Sequence, residues 1–314
     1  MAHSVVIPVF MNEKSLPQLL ERLSWLNERL DGELEAIFVV DGSPDGSYGF
    51  LTRALPAQPY RSRLLAHSRN FGSFAAARSG LSRASGEKIG LMAADLQEPP
   101  ELMLDFFKAL DGDADLAVGV RTGRSDRFVS SLLARTFWAL YRTLIWRDTP
   151  RGGVDVFACT ARFARRLTAF REANSSLVTL ALWMGFQRIE VPYHRVARRH
   201  GKSAWSFRAR LRYLTDSVYS FTDLPIRFLF AVGLFGVLAS ILVATVIGVA
   251  RLTGGISAPG YTATTFLISF FGALNLLGLG VVGGYLWRTF ENTKDRPPAI
   301  VMSDQGFDGK SVSR

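Results

Sequence analysis

The sequence predicts an α/β domain with a mostly parallel sheet, followed by two apolar helices long enough to cross a bilayer. Three observations carry this. Apolar runs of strand type alternate with segments of helical periodicity from Ser4 to Val120, the order of a parallel sheet covered by helices. The stretches Phe228 to Ala250 and Leu252 to Trp287 hold no charged residue. Asp41 and Asp95 each end an apolar strand run, the place where open α/β sheets bind their ligands.

Element by element, Ser4 to Phe10 is a short apolar run of strand type. Leucines at 16, 19, 20, 23, 26 and 30 then mark one face of a helix. Glu35 to Val40 forms a second strand, closed by the turn residues Asp41 to Gly46. A helix at about Tyr48 to Ala54 leads to a third strand, Arg63 to His67. Alanine-rich Ala75 to Ala84 predicts a helix. Glu87 to Met92 is a fourth strand, Leu102 to Leu110 a helix and Leu116 to Val120 a fifth strand.

The first uncharged stretch exceeds the ~20 residues a helix needs to cross the hydrocarbon core. The second is broken by Gly, Pro and Ser between Thr253 and Gly260, so its spanning part starts near Thr264. The expected organisation is a sheet domain over residues 1–205, an amphipathic juxtamembrane helix over 206–227, spans over 228–250 and 264–287, and a cytoplasmic tail over 288–314. Arg195, Arg198, Arg199, Lys202, Arg208, Arg210, Arg212 and Arg227 precede the first span, and Arg288, Lys294 and Arg296 follow the second. Positive charge stays in the cytoplasm. This predicts a multi-pass protein of the inner (cytoplasmic) membrane with its domain and both termini cytoplasmic. Gly280 and Gly284 form a GxxxG pair that would let two helices approach closely, in a homo-oligomer or simply in a glycine-enriched span. The stripe of apolar residues from Phe128 to Trp146 suits either a core helix or the membrane interface.

The net charge of +10 fits nucleic acid, an anionic membrane or phosphorylated substrates. A nucleic-acid partner would leave the uncharged spans unexplained and is not expected. The single cysteine, Cys159, excludes an internal disulfide and a cysteine metal cluster and reads as a core residue. Met1 to Phe10 has no basic leader and reads as a strand rather than a signal peptide. His3, His67, His194 and His200 lack metal-ligand spacing and are expected to be structural or exposed.

The strand ends locate the candidate site: Pro8 to Glu13, Asp41 to Asp45, Arg69 to Ser73, Asp95 to Glu98, and Arg121. Acids at two of these places could hold a divalent cation against a diphosphate. No Ser–His or Cys–His nucleophile arrangement is evident.

The motifs at these ends resemble family 2 glycosyltransferases. They are Pro8-Val-Phe-Met-Asn-Glu13, Val40-Asp41-Gly-Ser-Pro-Asp45, Ser68-Arg-Asn-Phe-Gly72 and Ala93-Ala-Asp-Leu-Gln-Glu-Pro-Pro100, in that order. Gly119-Val-Arg121, Gly153-Val-Asp-Val-Phe157, Arg198-Arg-His-Gly-Lys-Ser-Ala-Trp205 and Phe221-Thr-Asp-Leu-Pro-Ile-Arg227 extend the likeness over nearly the whole chain, toward the polyprenyl-phosphate glycosyltransferase branch. The resemblance implies a GT-A fold, a nucleotide-sugar donor linked to UDP or GDP, inverting transfer of a hexose-type sugar, and a polyprenyl phosphate acceptor at the cytoplasmic face of the bilayer.

By the same resemblance, Pro8, Phe10, Glu13, Asp41, Ser43, Asn70, Gly72, Ala94 and Gln97 would bind the donor, Asp41 at the nucleoside. Asp95 and Gln97 would hold Mg²⁺ or Mn²⁺ on the diphosphate. Asp155, Asp95 and Arg121 would be catalytic, with Asp155 near sugar and acceptor and Arg121 on phosphate. Arg198, Lys202 and Ser203 would form a loop closing over the phosphates. The chain departs from the family pattern at Val40 and Ala93, where acids usually stand. That departure allows an alternative, a catalytically silent GT-A scaffold partnering a flippase or another transferase.

Overall fold

The computed structural model describes residues 2–121, 143, 150, 154, 156–172, 176–196, 215–253 and 260–309. The strands are β1 (His3–Val9), β2 (Leu34–Val40), β3 (Arg61–His67), β4 (Lys88–Leu91), β5 (Leu116–Arg121), β6 (Phe157–Thr160), β7 (Arg188–Tyr193) and β8 (Val301–Phe307). They form one sheet in the order β7-β5-β6-β4-β1-β2-β3-β8. Only β6 and β8 run against the rest.

The helices are α1 (Leu16–Arg29), α2 (Ser47–Ala54), α3 (Ser73–Leu81), α4 (Glu101–Ala109), α5 (Ala161–Ala169), α6 (Leu177–Trp183), α7 (Leu224–Leu252) and α8 (Tyr261–Thr293). Residues 215–221 are also helical. Side chains alternate across β1, and this separates two cores. Val5, Ile7 and Val9 pack with Leu19, Leu23, Leu51 and Phe106 of α1, α2 and α4. Val6 packs on the other face with Ile37, Val39, Ala76, Phe163 and Leu180. Each such buried side chain contributes ~1.5–3 kcal/mol. Every residue of β2 is buried, as expected of a central strand covered on both faces. The small residues of α3 let it lie close to the sheet: a Cβ at Gly80 would come within 2.2 Å of Val6 Cγ1. The expected role of Cys159 holds, since it is fully buried in the second core.

The expected organisation changes at the chain's end. Residues after the second apolar stretch do not form only a tail: α8 continues to Thr293, and β8 pairs antiparallel with β3. The cause is alternation, Val301, Ser303, Gln305 and Phe307 being half-buried while Met302, Asp304 and Gly306 are exposed. Asp304 takes a bidentate pair from Arg63 at 2.6 and 3.0 Å, and Ser303 accepts from the Tyr48 hydroxyl at 3.2 Å. The sheet is therefore completed only after α8. β6 and β7, absent from the sequence reading, fill its other side.

Helices α7 and α8 contain segments, Leu224–Val243 and Phe270–Thr293, long and apolar enough to cross a membrane. Their large apolar side chains, including Phe230, Phe235, Leu242, Ile268, Leu276 and Leu286, are exposed, so they are not core helices of the domain. The two meet at Gly236, where a Cβ would stand 3.0 Å from the Phe271 ring. At the domain end, Arg288 reaches Asp216 at 2.6 Å and lies over the Tyr219 ring, and the Tyr285 hydroxyl donates to Thr222 O at 3.2 Å. Gly284 faces that same Tyr219, 3.2 Å from a would-be Cβ. The close approach this glycine permits is used within the chain. The stripe at 128–146 lies outside the described residues apart from Thr143.

Candidate active site

The parallel register sets the ends of β1 and β2 level, Val9 beside Val40. The loops that follow are bonded to each other. Met11 N donates to Ser43 Oγ at 2.8 Å, Glu13 N to Asp45 Oδ2 at 3.1 Å, and Gly46 N to Glu13 Oε2 at 3.0 Å. Ser43 Oγ donates in turn to Asp45 at 2.7 Å. Burial alone would raise the Asp45 carboxyl, but the hydroxyl bonds from Ser43 and Ser47 outweigh it and hold the group below the ordinary range. Gly42, at φ +58°, lies against the next loop: a Cβ would fall 2.2 Å from the Arg69 carbonyl carbon. Only glycine fits there.

Asp41 is 2% exposed. Its carboxylate accepts from Phe71 N at 2.9 Å and Gly72 N at 2.7 Å, and it meets His67 Nδ1 at 2.8 Å. His67 Nε2 lies 2.9 Å from Ser79 Oγ. Asp41 thus shapes the loop carrying Asn70 and Gly72 from beneath, and His67 is the structural histidine that ties it to α3. Phe10 and Met11 stand exposed at the mouth, and Arg69 stacks over Phe71 at 4.0 Å. Pro8, one residue before the end of β1, is half-buried.

After β4, the buried Ala94 accepts from Ser15 Oγ at 2.7 Å, which fixes the start of the Asp95 loop against α1. Gln97 N donates to Asp95 Oδ1 at 3.3 Å. Gln97 also receives the chain leaving β7: Val196 N donates to Gln97 O at 2.9 Å, and Arg195 Nη2 to Gln97 Oε1 at 2.5 Å. Glu98 is 3% exposed, and its Oε2 has no hydrogen-bond partner. Burial and then Asp95 push its carboxyl up to about 7, against the pull of Arg195 and Arg121. Arg121 ends β5 beside Tyr193 of β7. Burial raises the Tyr193 phenol, with Arg121 opposing.

The structure thus brings together Pro8, Phe10, Glu13, Asp41, Ser43, Asn70, Gly72, Ala94, Asp95, Gln97 and Arg121 along one edge of the sheet. Asp155, Arg198, Lys202 and Ser203 lie outside the described residues. Glu98 and Arg195 were not singled out from sequence as site residues. Glu98 sits inside the Ala93–Pro100 motif, but its burial is tertiary, and Arg195 reads in sequence as one more basic flank residue.

For a divalent cation the described donors are hard oxygens, the Asp95 carboxylate and the Gln97 carbonyl, beside the unpartnered Glu98 oxygen. Mg²⁺ uses one or two carboxylates together with phosphate and water, so these residues fit it when a diphosphate is present. Among the described residues no group of three or more acids, histidines or cysteines could hold an ion alone. Gln97 Oε1, engaged by Arg195, would have to exchange partners to join such a site.

A mostly parallel sheet with acids, glycine turns and an arginine gathered at its carboxyl edge defines a GT-A-like transferase. The chain belongs to glycosyl transferase family 2, whose model matches residues 4–172. It is a glycosyltransferase. CsbB of Bacillus subtilis (strain 168), named a glycosyltransferase, is 33% identical over 299 residues, covering 95% of this chain and 90% of that protein. YkcC of the same organism, named an uncharacterized glycosyltransferase, is 27% identical over 313 residues, covering 99% and 97%. Among solved structures, glucosyl-3-phosphoglycerate synthase from Mycobacterium tuberculosis, in complex with Mn²⁺, uridine diphosphate and glucosyl-3-phosphoglycerate, aligns with a TM-score of 0.47. It is 17% identical and covers 69% of this chain and 80% of that one.

Proposed function

We propose that this chain transfers a hexose-type sugar, with inversion, from a nucleotide sugar to a polyprenyl phosphate at the cytoplasmic face of a membrane. One observation carries the acceptor. Both connections to the apolar helices join the sheet at its carboxyl edge, where the site residues stand. β8 begins at Val301 opposite His67, the last residue of β3. The chain from the end of α8 to that point is residues 294–300, which reach at most about 25 Å. On the other side, β7 ends at Tyr193 and its continuation bonds to Gln97. A bilayer around α7 and α8 therefore faces the edge that would hold the donor. Flanks that join one sheet from both ends of the helix pair also lie on one side of that bilayer, and the excess of Lys and Arg there makes it the cytoplasmic side.

The chemistry asks little of a base. A lipid phosphate with a second pKa near ~6 is already anionic. Its oxygen would attack the anomeric carbon while the bond to the nucleoside diphosphate breaks, and the developing charge stays on that diphosphate. Arg121, with Arg198 and Lys202, would stabilise this charge, and Ser203 would complete the closing loop. A divalent cation held by Asp95 and Gln97 would neutralise the same oxygens. Asp155 would orient the acceptor. Asp41 would act on the donor through the Phe71–Gly72 loop, with Pro8, Phe10, Glu13, Ser43, Asn70 and Ala94 forming the walls.

The test is the full-length protein in vesicles holding a polyprenyl phosphate, supplied with UDP- and GDP-linked sugars, with the lipid product weighed by mass spectrometry. A polyprenyl-phosphate sugar from one donor supports the reading. Transfer to soluble acceptors in lipid-free detergent, with none to the lipid, would refute it. Donor binding without any transfer would favour the silent scaffold suggested by Val40 and Ala93.

A further inference from the structure

A cavity of about 240 Å³ lies beside the donor edge, between α3, α5 and the chain entering β8. Arg78, Ser79, Ser82 and Arg83 line it from the end of α3 and the turn after it, Thr168 from α5, and Pro298, Ala299 and Val301 from the strand approach. Arg78 is 9% exposed, yet among the described residues its guanidinium donates to a neutral acceptor, the Phe170 carbonyl. A buried guanidinium normally meets an acid. Here burial depresses the group, and the charge of Glu172 opposes that shift. Arg83 shares a single carboxylate, Asp304, at 3.4 Å with the closer pair from Arg63. Arg78 and Arg83 line the cavity, Arg63 already holds Asp304 more closely, and the three guanidiniums face two carboxylates, Asp304 and Glu172, which leaves a net positive charge beside the cavity.

We infer that this cavity is an anion site for a phosphate group, separate from the donor site and coupled to it. Two arginine forks, Arg78 on α3 and Arg83 in the turn after it, suit a tetrahedral oxyanion better than a planar carboxylate, which one fork satisfies. The volume admits a phosphate or a small phosphate ester and falls below the ~300 Å³ at which pockets for larger ligands begin. The hydroxyls of Ser82 and Thr168 already donate to backbone carbonyls, so the arginines are the donors. The coupling runs through Ser79. This wall residue is bonded to His67, which is bonded to Asp41, whose carboxylate holds Phe71 N and Gly72 N of the donor loop. An anion that draws Arg78 and Arg83 inward pulls on α3 and hence on that relay. The cavity wall formed by Pro298, Ala299 and Val301 also follows α8 directly, so an occupied cavity would brace the link between the apolar helices and the sheet.

The test titrates the full-length protein in nanodiscs with inorganic phosphate and, in a second arm, with glycerol phosphate, by calorimetry. The tighter arm identifies free phosphate or a monoester as the source. Arg83→Gln should weaken binding about tenfold, the loss of one charge-assisted contact, and Arg78→Gln more. Because Arg78→Gln also removes a bond to Phe170 and could unfold the region, Ser82→Tyr, an exposed position filled toward the cavity, serves as the independent variant and should abolish binding. Phosphate binding that is absent at millimolar concentration, or equal in the parent, Arg83→Gln and Ser82→Tyr, overturns the site. For the coupling, UDP and GDP affinities are measured with and without phosphate. A shift in the parent that disappears in Ser79→Ala, while phosphate affinity stays, supports it; no shift in the parent overturns it. Neither readout depends on the lipid acceptor, so failure here and failure of the acceptor assignment are separate results.

Discussion

Asp41→Ala separates two roles for the acid at the end of β2: direct contact with a nucleoside, or support of the loop beneath it. The carboxylate serves Phe71 N, Gly72 N and His67 Nδ1 at 2.7 to 2.9 Å. His67 is 3% exposed, so its ring nitrogen would be left without a partner, at ~1–3 kcal/mol. The two amides are part-buried and can turn to water, at ~0.5–1.5 kcal/mol each. Together the loss is about 2–6 kcal/mol, a large part of the ~5–15 kcal/mol that holds a domain folded. Asp41→Asn keeps one acceptor oxygen but turns an NH₂ toward one amide or the imidazole, and it should lose roughly half as much. The assay is urea unfolding of the full-length protein in nanodiscs, beside calorimetric titration with UDP and GDP. Support of the loop predicts that stability and nucleotide affinity fall together, in the order Asn then Ala. An Ala variant as stable as the parent but without nucleotide binding would refute this and make Asp41 a direct nucleoside contact.

Other outcomes follow from the same edge of the sheet. Asp95→Ala should lower transfer by orders of magnitude, with EDTA acting similarly on the parent; if both leave activity intact, Arg121 carries the diphosphate charge without a cation. Asp155→Asn should keep nucleotide affinity and lose transfer, whereas equal loss of both in calorimetry and transfer assays would assign it a folding role. Glu98 has a folded value of about 7 against 4.5 ordinarily, so the stability tied to its proton is full below pH 4.5 and lost as pH rises through 7. In EDTA the parent should lose up to about 3 kcal/mol over that window and Glu98→Gln should not; parallel pH profiles would show that the carboxyl is not held protonated. A chain ended at Asp223 lacks β8, leaves the β3 edge unpaired and should aggregate on size exclusion. Replacing residues 224–300 by a flexible linker should restore a monomer, and a monomeric truncation without β8 would show that the strand is dispensable.

The sequence by itself determined the parts of this protein that depend on local pattern. Short apolar runs mark β1 to β5, and helical spacing or alanine content marks helices such as α1 and α3, because burial and propensity write themselves into neighbouring residues. The uncharged stretches mark α7 and α8, and the strand ends mark where Asp41, Asp95 and Arg121 meet. Tertiary structure decided what long-range contacts control. Val301 to Phe307 matches β1 to β3 in length but is too polar to announce a strand; its alternation becomes a strand where the β3 edge and Arg63 lie beside it. Glu98 looks like any motif acid until burial and Asp95 push its carboxyl up to about 7. His67 reads as an unremarkable histidine, yet the fold sets it between Asp41 and Ser79, since bonds between residues distant in sequence leave no periodic trace. The edge of the sheet at which β7 ends and β8 begins was also undecided in the sequence, since strand pairing is a long-range contact.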